Sequence, residues 1–169
     1  MNPTVSIIMG STSDMPVVKK ATDLLEQMQI PFELQALSAH RTPKRVEEFA
    51  SGARERGIKV IIAAAGMAAA LPGVVAALTP LPVIGLPISS TLDGRDALLS
   101  MVQMPPGIPV ATVAIDGALN AAILAVSILA LSDNGIAQRL DQWRAALTDK
   151  IDKASKDLAA ISEYKYKTN

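Results

Sequence analysis

Residues 4–14 read Thr-Val-Ser-Ile-Ile-Met-Gly-Ser-Thr-Ser-Asp, TVSIIMGSTSD: a short apolar, β-branched run that breaks into glycine, hydroxyls and a carboxylate. From about residue 16 to 29 the period changes. Val17, Val18, Ala21, Leu24, Leu25 and Met28 recur at spacings of three and four, one face of a helix, and Pro31 stops it. Strand, polar loop, helix is the repeating unit of this chain, and the loop is where its chemistry falls.

The unit recurs. A strand at about 32–37 leads into Ser-Ala-His-Arg-Thr-Pro at 38–43, and a helix near 43–56 is expected with Thr42 as N-cap, Pro43 in its first turn and Gly57 at its end. KVIIAAA forms a third strand, and GMAAALPG opens the next helix. LPVIGLPI reads as a fourth strand, a helix lies near 93–103, and IPVATVAI reads as a fifth strand that reaches Asp116 and Gly117. An almost wholly apolar helix follows at about 118–131. Strands alternating with helices imply a parallel sheet covered on both faces. In such sheets ligands bind at the carboxyl ends of the strands, at a topological switch point. The loops after strands one, two and three all fall on that edge.

Composition narrows the function. Half of the 169 residues are hydrophobic and only 19% are charged, enough to bury a sizeable core in a single domain. Sixteen basic residues balance sixteen acidic ones, and aromatics make up 3%, so neither a field nor a stacking platform for nucleic acid is present. With no cysteine and one histidine, thiolate catalysis and multi-histidine metal sites are excluded. No basic region followed by a long apolar core opens the chain, and the stretch near 118–131 is short of the ~20 residues a membrane span needs. A cytoplasmic protein with no membrane partner is expected.

Beyond residue 131, Ile136, Leu140, Trp143, Leu147, Ile151, Ala154, Leu158 and Ile161 keep spacings of three and four. This predicts one long helix over 132–169 with a narrow apolar seam, appended to a domain at 1–131. A helix of that length overhangs a compact α/β domain. It either folds back across its own domain or packs on another subunit, and an oligomer is expected.

Each loop has a bland and a chemical reading. Ser11, Ser13 and Asp14 suit an ordinary helix N-cap. Amides at a helix start with hydroxyls beside them also attract phosphate or carboxylate, whereas Asp14 would repel an anion and better suits a ribose hydroxyl or an amine. The loop fits neither GxxxxGK[ST] nor GxGxxG, so ATPase and dinucleotide readings find no support. His40, the only histidine, belongs to the side-chain type that exchanges protons near neutrality, and Arg41 offers a planar fork for carboxylate or phosphate, with Ser38 adding a hydroxyl. A solvated surface pair would look the same. Gly66, Met67, Ala68 and Leu71 belong to a small-residue stretch that permits close backbone approach to a ligand, as a packed helix start also does.

Taken together and in order, GSTSD at 10–14, SAHRTP at 38–43, AAGMAAALPG at 64–73, PVIGLPI at 82–88, VQMPPGIPVATVAI at 102–115 and NAAILA at 120–125 resemble class I PurE, the N5-carboxyaminoimidazole ribonucleotide mutases of purine biosynthesis. The resemblance implies a three-layer α/β/α flavodoxin-like domain with a long C-terminal helix, in a homo-octamer that exchanges those helices. It implies carboxyl transfer from the exocyclic nitrogen of the ribonucleotide to C4, by decarboxylation and recarboxylation, without metal or organic cofactor. His40 would carry the C4 proton. Ser11, Ser13 and Arg41 would hold phosphate or nearby polar groups, Asp14 the ribose and Ser38 the ligand, while backbone around Gly66, Met67, Ala68 and Leu71 would line the base and carboxylate. One departure stands out: the family commonly has His where this chain has Ala70. Either backbone donors and water replace that imidazole, or the rate is altered.

Two other functions fit parts of the same sequence. A direct carboxylase using CO2, the class II activity, more often carries Lys after the loop histidine and lacks LPG, so Arg41 and residues 71–73 favour the mutase. A non-catalytic nucleotide-binding module would bind ligand without turnover.

Overall fold

A computed structural model describes residues 2–169. Five parallel strands form one sheet in the order β2-β1-β3-β4-β5: β1 Val5–Met9, β2 Phe32–Ala36, β3 Val60–Ala65, β4 Val83–Pro87 and β5 Ala111–Thr112. Six helices connect and follow them: α1 Met15–Gln27, α2 Pro43–Gly52, α3 Leu71–Leu78, α4 Arg95–Val102, α5 Ala118–Ala130 and α6 Asn134–Ala159. This is the flavodoxin-like order, whose switch point lies between β1 and β3.

Burial explains the strand sequences. Every residue of β1, β3 and β4 is buried, as strands covered on both faces require, so apart from Ser6 these runs carry no polar side chain and do not alternate. One face of the sheet packs Val5, Ile7, Ile62 and Leu86 against α1, α5 and Leu140 of α6. The other packs Ile8, Ile61, Ala63 and Val83 against α2, α3 and α4. Ser6 is the one buried polar residue of β1, and its hydroxyl donates to Glu33 Oε1 on β2 at 2.9 Å. Glu33 also accepts from Arg56 Nη1 at 3.0 Å, which pins the outer strand.

The expected elements are present, with changed ends. The fifth strand spans two residues instead of the whole of IPVATVAI. Pro109 cannot donate to a ladder, and beyond Thr112 the chain follows β4 through separate contacts: Val113 N–H to Gly85 O at 3.0 Å and Asp116 N–H to Pro87 O at 2.8 Å. Helix α2 stops at Gly52, and the rest of its expected length is a turn closed by Ile58 N–H to Ala53 O at 3.1 Å, with Gly57 at φ 92°. Asp133 caps α6, its carboxylate accepting from Ile136 N–H at 3.0 Å. Ile161 lies beyond the helix. The first half of α6 rests on the domain through Leu140, Ile136 and Trp143, and Arg139 Nε donates to Met28 O at 2.8 Å. From Leu147 onward the seam leaves the domain, and Ile151 is 68% exposed. No helix among the described residues is long and apolar enough to cross a membrane.

The sheet leaves little slack at β4. A Cβ added to Gly85 would lie 2.9 Å from Val110 Cγ1 and 3.1 Å from Met101 Sδ. Gly85→Ala is therefore expected to destabilise the fold by about 1–3 kcal/mol through overpacking. A lowered urea midpoint checks this, and an unchanged midpoint would show that α4 gives way freely.

Candidate active site

The helices after β1 and β3 leave toward opposite faces of the sheet, so the loops at the carboxyl ends of these neighbouring strands part. Gly10 N–H still donates to Ala64 O at 3.3 Å, and Leu37 N–H to Met9 O at 2.9 Å, so the three loops start side by side.

The first loop makes a 3-10 turn at Thr12–Asp14 before α1 begins. Ser11 Oγ accepts from Ser13 N–H at 3.3 Å and from Ser13 Oγ at 2.9 Å. Ser13 Oγ also lies 3.3 Å from Asp14 Oδ1, so the three polar residues form one cluster at the helix start. Burial pushes the Asp14 carboxyl up from its ordinary value, with hydrogen bonds from the Ser13 side chain and the Ser11 backbone pulling the other way. A half-buried carboxylate beside amides and hydroxyls suits a neutral donor such as a ribose diol.

The second loop turns at residues 39–41. Thr42 stands at the N-cap position of α2, but its hydroxyl does not cap the helix. It faces back into the loop, accepting from Ser38 N–H at 3.0 Å and lying 3.1 Å from Ser38 O. The turn satisfies itself this way, tucks Ala39 against the core and presents His40 and Arg41 outward. Arg41 reaches across to the first loop: Nη2 donates to Gly10 O, and Nε donates to Ser38 Oγ at 3.3 Å. The guanidinium thus lies between loops one and two, with His40 exposed on the same turn.

The third loop leaves β3 at Gly66, turns through Met67 at φ 58° and enters α3 after Ala70. Met67 is 56% exposed and Ala68 is exposed. The Leu71 side chain is buried in the core, which leaves only its backbone to face a ligand. Ala70, where an imidazole is commonly found in the family this chain resembles, is half-buried at the N-cap of α3.

Hydrogen bonds therefore link Ser11, Ser13 and Asp14 to one another, and tie Ser38 and Arg41 to Gly10. Gly66, Met67 and Ala68 follow β3 alongside. A fourth loop, residues 88–94 after β4, stands at the same edge and was not apparent from sequence. A Cβ on Gly66 would come within 3.3 Å of Ile88 O and 3.5 Å of Ser90 Cβ, so this loop walls the third one. Its sequence, ISSTLDG, looks like any polar turn; the only available signal was its position after a strand. A cavity of about 580 Å3 lies elsewhere. It is lined by residues 76–83 and 107–109, near the amino end of β4, and holds no titratable side chain.

A family model described as AIR carboxylase matches residues 4–150. The chain is 59% identical over 143 residues to the N5-carboxyaminoimidazole ribonucleotide mutase of Pyrococcus abyssi, covering 84% of this chain and 82% of that one. It is 51% identical to the protein of the same name from Thermotoga maritima, covering 97% and 96%. The crystal structure of Treponema denticola PurE superposes with a TM-score of 0.84 at 32% identity, covering 92% of this chain and 98% of that one.

Ionised Asp14 costs the free fold stability at neutral pH, because its folded-state pKa lies above the unfolded value; the cost fades as pH falls through the raised value. Asp14→Asn is expected to melt higher than the parent at neutral pH, with the gap closing on acidification, and to bind the nucleotide about tenfold or more weakly. Thermal melts across pH with parallel calorimetric titrations check both; a variant that melts lower at neutral pH would overturn the burial argument.

Proposed function

The chain belongs to the AIR carboxylase family, and on that premise we propose that it converts N5-carboxyaminoimidazole ribonucleotide to the C4-carboxylated isomer in purine biosynthesis. The observation that carries the site assignment is the Arg41 bridge between loops one and two, beside exposed His40. It supports a cradle for an anionic nucleotide with a proton carrier at its rim.

The chemistry balances with one carrier. Breaking the bond between the exocyclic nitrogen and the carboxyl group releases CO2 and leaves the nitrogen needing a proton. C4 then attacks CO2, a carbon–carbon bond forms, and the C4 proton must leave. Protonated His40 supplies the first proton and neutral His40 takes the second, so no net proton is exchanged with solvent. Asp14 orients the ribose, Ser11, Ser13 and Arg41 hold phosphate or nearby polar groups, and Ser38 fixes Arg41. Backbone at Gly66, Met67, Ala68 and Leu71 lines the base and carboxylate. CO2 has no charge to hold it, so the pocket must keep it by closure and by excluding water.

The protein works in the cytoplasm as a homo-octamer, with α6 packed on a neighbouring subunit. The exposed Leu147, Ile151 and Leu158 on α6 support this, since an apolar seam in water has no partner within its own domain.

His40→Asn should abolish proton exchange at C4 and product formation while leaving nucleotide affinity within about tenfold, ~1.4 kcal/mol. Exchange followed by NMR and affinity by calorimetry test this together, and affinity collapsing alongside activity would make His40 a binding residue instead. Truncation after Arg144 keeps Leu140 and Trp143 but removes the exposed seam. Its light-scattering mass is expected to correspond to fewer subunits; an unchanged subunit number would defeat the packing proposal.

A further inference from the structure

The fourth loop is held in an unusual conformation. Leu92, Asp93 and Gly94 have φ of 47°, 54° and 80°, three successive left-handed residues of which only the last is glycine. Leucine rarely adopts this region, and Leu92 is also 72% exposed, so packing of its side chain does not hold it there. Bonds within the loop, Gly94 N–H to Thr91 O at 2.9 Å and Arg95 N–H to Leu92 O at 3.1 Å, shape the turn but do not fix where it stands.

Its position is set at the neck. Ser89 N–H donates to Asp116 Oδ1 at 2.9 Å. A Cβ on Gly94 would lie 2.7 Å from Ile115 Cγ2 and 3.2 Å from Ser89 Cα, so the two ends of the loop meet against the segment that follows β5. On the other side the loop touches Gly66 of the site. Asp116 is itself left-handed at φ 55°, and its own N–H is bonded to Pro87 O at 2.8 Å. Glycine would adopt this backbone more readily. What aspartate adds is the carboxylate, and that carboxylate accepts the first free amide of the fourth loop.

We propose that Asp116 is a positioning residue for the carboxyl transfer: its carboxylate tethers residues 89–94 so that they wall the loop at Gly66 where the base and carboxylate lie. The inference rests on the assignment of the loop at Gly66 to the substrate site. It predicts that losing the tether weakens productive binding without touching the proton carrier.

Two variants separate side chain from backbone. Asp116→Gly keeps the left-handed turn and deletes the acceptor, whereas Asp116→Asn keeps an oxygen acceptor and removes the charge. Asp116→Gly is expected to raise KM about tenfold with kcat within about threefold, and to lose hydrogen-exchange protection at the Ser89 amide. Asp116→Asn is expected to retain the KM and the protection of the parent. Parent-like KM and Ser89 protection in Asp116→Gly would overturn the proposal, as would an Asp116→Asn protein as impaired as the glycine variant. Exchange is read on the free protein, so a parent chain inactive on the nucleotide would count against the mutase assignment and leave the tether result intact.

Discussion

The pairing of β1 with β3 governs the rest of the molecule. Val5 through Met9 run in register with Val60 through Ala64, and neither strand offers a residue to water. A pair buried on both faces needs helices on both faces, and the connections must leave in opposite directions to supply them. The crevice at the carboxyl ends of these strands is thus a consequence of covering the core. It is also the place where backbone amides and polar side chains escape burial, and Ser11, Ser13, Asp14, Ser38, His40 and Arg41 stand on the loops there.

That concentration works against stability. The Asp14 carboxylate is partly withdrawn from water without a cation to compensate it, and Met67, Leu92, Asp93 and Asp116 adopt left-handed backbone along the same edge. Strain of this kind costs of order 1–3 kcal/mol per residue and persists only where the surroundings impose it. Here the rigid parallel ladder and the bonds between loops do so, Arg41 to Gly10 on one side and Ser89 to Asp116 on the other. Short loops on buried strands give the preorganisation that the proposed passage through free CO2 demands.

How much of this could be read from sequence depended on whether burial or geometry set the residue choice. Strands one, three and four announce themselves because double burial forces apolar runs, broken only at Ser6, and α1 and α6 do so through their three-and-four spacing. Strand five misled: IPVATVAI has the right composition, yet an edge position and Pro109 leave only Ala111 and Thr112 in the ladder. Thr42 has the sequence of a cap and the structure of a loop brace. The first two loops were legible as candidates through their polar side chains, and the third through its run of small residues after a strand. The fourth was not, since nothing in ISSTLDG reveals that Leu92 is left-handed or that Ser89 is tied to a residue 27 positions away. Long-range bonds to backbone amides leave no periodic trace.

On the proposed function, these loops transfer a carboxyl group already carried by the nucleotide. The direct measurement supplies the purified chain with N5-carboxyaminoimidazole ribonucleotide in one cell and aminoimidazole ribonucleotide plus bicarbonate in another, and follows the C4-carboxylated product by absorbance. Rapid product formation from the carboxyamino nucleotide alone is the predicted result, and it would also show that the chain works with Ala70 in place of an imidazole. Turnover only from aminoimidazole ribonucleotide and bicarbonate, or binding without product in either cell, would contradict it.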